Sequence, residues 1–74
     1  MNPMQQRLLF ELVTAQPATF AELSMRSRMS NEFLKFALDN LVQRGFVESD
    51  NNRYRLAAGV KEFVYNTERS AVNF

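Results

Sequence analysis

Three observations in this 74-residue chain predict a mainly helical fold with a small β-hairpin near its C-terminal end. Apolar residues recur at helical spacing in successive stretches between residues 3 and 44. Helix-start signatures stand at Thr19 and Ser30. After Gly45 the pattern changes to two short strand-like runs, Phe46-Val47-Glu48-Ser49 and Arg53-Tyr54-Arg55-Leu56, joined by Asp50-Asn51-Asn52.

The first helix opens at Asn2-Pro3, where Asn caps and Pro's missing N–H would be unpaired in any case. It runs over residues 3–15 with Leu8, Leu9, Leu12 and Val13 as its apolar stripe, and Phe10 widens that stripe beyond one face. Gln16-Pro17 ends it, because the residue before Pro is pushed out of the α region. Thr19-Phe20-Ala21-Glu22 forms a capping box for a short second helix that ends near Arg26-Ser27. Ser30 caps the third helix, and Met29 and Leu34 flank that cap as a hydrophobic staple. This helix runs to Arg44. Gly45 then supplies the left-handed residue, and Phe46 folds back on Leu41 as in a Schellman ending.

Asn and Asp tolerate the positive φ that a tight hairpin turn needs, so residues 50–52 join the two strands. A hairpin this small must lean on the helices. Val60, Phe63, Val64, Thr67 and Ala71 return to helical spacing, which predicts a last helix from about residue 59 to about Ser70. The order helix, helix, tight turn, helix, hairpin, helix is the winged helix-turn-helix arrangement, here one domain over residues 1–74.

Composition excludes several classes of function. The chain has no Cys and no His, so disulfides, zinc fingers and His-based acid–base catalysis are ruled out. No nucleophile stands beside a base, no Gly-rich phosphate loop is present, and no carboxylates have metal spacing. The sequence therefore predicts no enzyme and no cofactor. No apolar run approaches the roughly 20 residues of a membrane span, and residues 1–7 lack a secretory pattern, so a cytoplasmic protein is expected. Net charge is only +1. Residues 26–55, however, hold six basic groups (Arg26, Arg28, Lys35, Arg44, Arg53, Arg55) against four acidic ones (Glu32, Asp39, Glu48, Asp50). That asymmetry has the sign of a phosphate-facing surface.

The residues Thr19-Phe20-Ala21-Glu22-Leu23, Met29-Ser30, Leu34, Leu38, Leu41 and Gly45-Phe46-Val47 resemble the helix-turn-helix of bacterial winged-helix regulators. Residues 41–48 with Arg53-Tyr54-Arg55-Leu56 look most like the DNA-binding domain of the isocitrate-lyase-regulator (IclR) type. They are also similar to small iron–sulphur-cluster regulators, whose cysteines this chain lacks. The resemblance covers roughly residues 6–66. It departs at Arg28, where those families usually carry Gly, so the turn must be built without Gly's conformational freedom.

The resemblance implies a transcriptional regulator that reads double-stranded DNA with helix 30–44 in the major groove. At about 100° per residue, Leu34, Ala37, Leu38 and Leu41 form the core face, and Glu32, Phe36, Asp39, Asn40 and Gln43 lie opposite. Asn31, Asn40 and Gln43 suit base reading, because a carboxamide pairs in two places with adenine. Arg26, Arg28, Ser30 and Lys35 suit phosphate contacts near the helix start. Phe36 suits a thymine methyl, and Arg53 and Arg55 on the wing suit the flanking backbone or the minor groove. The same face also fits a protein partner, with Phe33, Phe36 and the acidic residues as the interface. Phe10, Val60, Phe63 and Val64 exceed what one small core covers. They are expected to pair two copies into a homodimer that sets the recognition helices about 34 Å apart, one DNA turn.

Overall fold

The computed structural model describes residues 3–64. Helix α1 (Pro3–Thr14) leads through a loop to a two-residue strand β1 (Ala18–Thr19). Helix α2 (Phe20–Ser27) and helix α3 (Asn31–Gln43) follow, then strands β2 (Val47–Asp50) and β3 (Arg53–Leu56). Residues 60–64 are helical again. Asn2, Thr67, Ser70, Ala71 and Phe74 lie outside the described residues.

Each boundary has a local cause. Thr19 closes the capping box: its hydroxyl accepts from the Glu22 N–H, and the Glu22 carboxylate accepts from the Thr19 N–H, both at 3.1 Å. The Ser30 hydroxyl accepts from the Phe33 N–H at 3.3 Å. At the end of α3, Gly45 takes φ +83°. Its N–H reaches the Val42 carbonyl at 3.1 Å, and the Phe46 N–H reaches the Leu41 carbonyl at 3.0 Å. This is the Schellman pair, and it satisfies carbonyls that the helix end would leave orphaned. The hairpin loop is only Asn51-Asn52, both with positive φ, which matches the right-handed twist of the flanking strands. Asp50 therefore belongs to β2, one residue beyond the expected strand.

The sheet has three strands rather than two, in the order β1-β3-β2 and antiparallel throughout. Ala18 pairs with Tyr54 and Thr19 with Arg53. The Gln16 side chain extends this seam by accepting from the Leu56 N–H at 2.8 Å. A strand of two residues shows no period in sequence, and its partner lies some 35 positions away, so local pattern cannot reveal it.

The core joins Leu8, Leu9 and Leu12 of α1 to Ala18, Leu23, Leu34, Ala37, Leu38, Leu41, Val47, Leu56 and Val64. All four residues of the expected α3 core face are buried. Truncating one such leucine to Ala costs roughly 2–5 kcal/mol through lost transfer energy and the cavity left behind. Val64 is only 6% exposed and Val60 packs against the same core. Val64 thus belongs to the chain's own interior, which corrects its expected place at a surface between copies, while Val60 is only partly buried. Of the expected set, Phe10 (44%) and Phe63 (57%) keep open apolar surface.

Candidate nucleic-acid interface

The turn between α2 and α3 sets the attitude of α3. Arg28 takes the left-handed conformation, φ 59° and ψ 23°, that Gly would adopt at no steric cost. Its N–H bonds the Ser24 carbonyl at 3.1 Å. The buried Ser27 hydroxyl accepts from the Met29 N–H at 3.3 Å. The Ser24 hydroxyl donates to Asn31 Oδ1 at 2.9 Å, tying the two helices directly. Short polar side chains thus hold a turn that lacks Gly.

The outer face of α3 is open. Glu32, Phe36, Asp39 and Gln43 recur at i, i+4, i+7 and i+11 opposite the leucines, and all four are exposed. Lys35 sits on the flank with its Nζ 3.6 Å from the Asp39 carboxylate, an exposed i,i+4 pair.

Several expected site residues are engaged within the chain. Asn40 is half-buried, and its Oδ1 accepts from Gln5 Nε2 at 2.8 Å. Its amide fixes α1 against α3, so it is displaced from the outer face. Asn31 is held by Ser24, and Ser30 by its capping role. Arg26 turns back along α2, 3.5 Å from the Glu22 carboxylate and 3.5 Å from the Ala15 carbonyl.

Five of the cations line three concavities. Arg28 shares a depression at the start of α3 with Arg7, Ser30 and Phe33. Arg7 escaped the sequence reading because nothing local connects position 7 to position 28. Lys35 lines a groove with Phe20, Asn52 and Tyr54, between α3 and the wing. Arg53 and Arg55 project from one face of β3 and line a third concavity with Asp50. In register Arg53 opposes Asp50 and Arg55 opposes Glu48, so each wing cation faces a carboxylate across the hairpin.

The Glu22 carboxylate is perturbed. The Thr19 N–H and hydroxyl, with Arg26 and Arg53 nearby, hold Glu22 below its ordinary value of 4.5. Hydrogen bonds to the ionised form favour it, and here they outweigh a small opposing effect of desolvation.

No family model matches the chain, and no curated protein matches it. Its backbone is similar to solved structures. A MarR family protein of Mycobacterium tuberculosis shares 17% identity at TM-score 0.82 over 93% of this chain and 53% of that one. ZitR of Lactococcus lactis shares 17% at TM-score 0.77 over 99% and 56%. MarR of Staphylococcus aureus, in complex with salicylate and kanamycin, shares 18% at TM-score 0.82 over 99% and 55%. The chain spans about half the length of these neighbours. The resemblance read from the residues holds at the level of the winged helix and is not carried to the isocitrate-lyase-regulator type. The chain is a mainly helical winged helix with a three-stranded antiparallel sheet, the fold of MarR proteins.

Proposed function

We propose that this protein is a transcriptional regulator that binds duplex DNA with α3 in the major groove and the β2–β3 wing beside it. The observation that carries the reading is the outer stripe of α3. Its four residues are all exposed, and cations flank it: Arg28 and Arg7 line a depression at its start and Lys35 stands on its side, while Arg53 and Arg55 line a separate concavity on the wing. The winged-helix likeness to MarR proteins supports it as an analogy of fold. Gln43 serves as an adenine reader, and Arg28 and Lys35 as phosphate contacts.

The reading includes a homodimer, supported by Phe10 and Phe63, which keep exposed apolar surface. It also includes one domain over residues 1–74 and a cytoplasmic location. No helix among the described residues is long and apolar enough to cross a membrane.

The test is migration of random duplex DNA at about 50 mM salt, where phosphate contacts are strong. The wild type retards the duplex, and Arg28→Ala with Lys35→Ala weakens the shift while the circular-dichroism melt stays cooperative. Absence of any retardation at that salt overturns the reading.

A further inference from the structure

We infer that α3 reads a pyrimidine-bearing sequence, with Phe36 packed on the C5-methyl of a thymine and Glu32 accepting from the N4 amino group of a nearby cytosine. The inference rests on the DNA-binding reading and specifies which base edges that surface takes.

The starting point is a shortage of polar readers. Asn31, Asn40 and Ser30 each bond within the chain, and Lys35 is paired with Asp39. Among the described residues, the groups of the outer stripe with no hydrogen bond or ion pair inside the chain are Glu32, Phe36 and Gln43. Phe36 stands in the middle of that stripe and is 72% exposed. It contributes nothing to the core.

Major-groove chemistry narrows what these side chains can meet. An apolar group finds one apolar feature on the four base pairs, the thymine methyl. A carboxylate accepts only, so it needs an exocyclic amine, and cytosine N4 is its usual partner. A carboxylate on a DNA-facing helix is otherwise repelled by phosphates, and this pairing gives Glu32 a place in the groove floor away from them. Glu32 and Phe36 are one helical turn apart, about 6 Å along the axis. Base steps rise about 3.4 Å, so the two side chains address positions one to two steps apart.

The experiment selects bound sequences from a random duplex library with the full chain. Affinity is then measured on the best duplex with each thymine replaced in turn by deoxyuridine, which removes only the methyl. At least one replacement weakens the wild type about fourfold, the factor that ~0.8 kcal/mol for one buried methyl group corresponds to. Phe36→Ala binds the thymine and uracil duplexes equally, and Phe36→Leu keeps part of the difference. Glu32→Gln loses the preference for cytosine within two steps of that thymine. Both side chains are exposed, and a thermal melt of each variant verifies the fold. Binding that is steeply salt-dependent but indifferent to every methyl overturns this inference alone. So does a Phe36→Ala variant that retains the thymine preference. A chain that binds no duplex overturns the DNA-binding reading as well.

Discussion

Arg28 carries a backbone conformation that costs an L-residue roughly 1–2 kcal/mol, because its Cβ crowds the following carbonyl. Arg28→Gly removes that strain, and only part of the gain is offset by Gly's larger unfolded-state entropy. We expect the variant to melt several degrees higher, since ~1 kcal/mol shifts a domain this size by about 4–8 °C. It should also bind DNA more weakly, and an unchanged or lower melting temperature would refute the strain. The contrary case is Gly45, with φ +83° and nothing near an added Cβ. Gly45→Ala should destabilise by ~1 kcal/mol through the backbone alone. Glu22 gives a dependence on pH. Its folded pKa is depressed, so its contribution is present above the ordinary value of 4.5 and is lost as pH falls through the folded value. The gap in melting temperature between wild type and Glu22→Gln, present at pH 7, should close in acid. A gap constant down to pH 2 contradicts the capping account.

At the scale of elements, the sheet is joined to the helices by a seam only a few residues long. Ala18-Thr19 pairs with β3, and Gln16 supplies the last acceptor, to the Leu56 N–H. Gln16→Ala leaves that partly buried donor unsatisfied and should cost ~1 kcal/mol. Hydrogen exchange at the Leu56 amide should accelerate beyond the global loss, and an unchanged rate would show that the seam does not need Gln16. The Gln5–Asn40 bond does the same service between α1 and α3. Asn40→Ala should therefore lower stability by ~1 kcal/mol while leaving base preference unaltered. A changed preference at constant stability would return Asn40 to the readers.

For the whole molecule, charge decides how binding responds to salt. The net charge of +1 supplies little long-range attraction, and Asp50 and Glu48 face the wing arginines. Binding should thus depend on a few local phosphate contacts, each contributing ~0.9 to the slope of log affinity against log salt. Arg28→Ala should lower that slope by about one, measured as titrations at several salt concentrations. Phe10 is exposed, so Phe10→Glu should convert a dimer to a monomer in sedimentation without unfolding. A wild type that is already monomeric at high concentration removes the homodimer from the reading.

The sequence by itself determined what depends on neighbours along the chain. The capping box at Thr19, the Ser30 cap, the Schellman ending at Gly45 and the leucine face of α3 each follow from residues within a few positions of one another. Hydrogen bonds and burial over one helical turn leave a periodic trace that can be read directly. The tertiary structure alone decided what depends on distant partners. It added β1, brought Arg26 to the Ala15 carbonyl, committed Asn40 to Gln5, brought Arg7 beside Arg28 and drew Val64 into the core. Those outcomes are competitions between solvent and groups distant along the chain, 11 positions away for Arg26 and 35 for Asn40, and a side chain's identity does not reveal which partner wins.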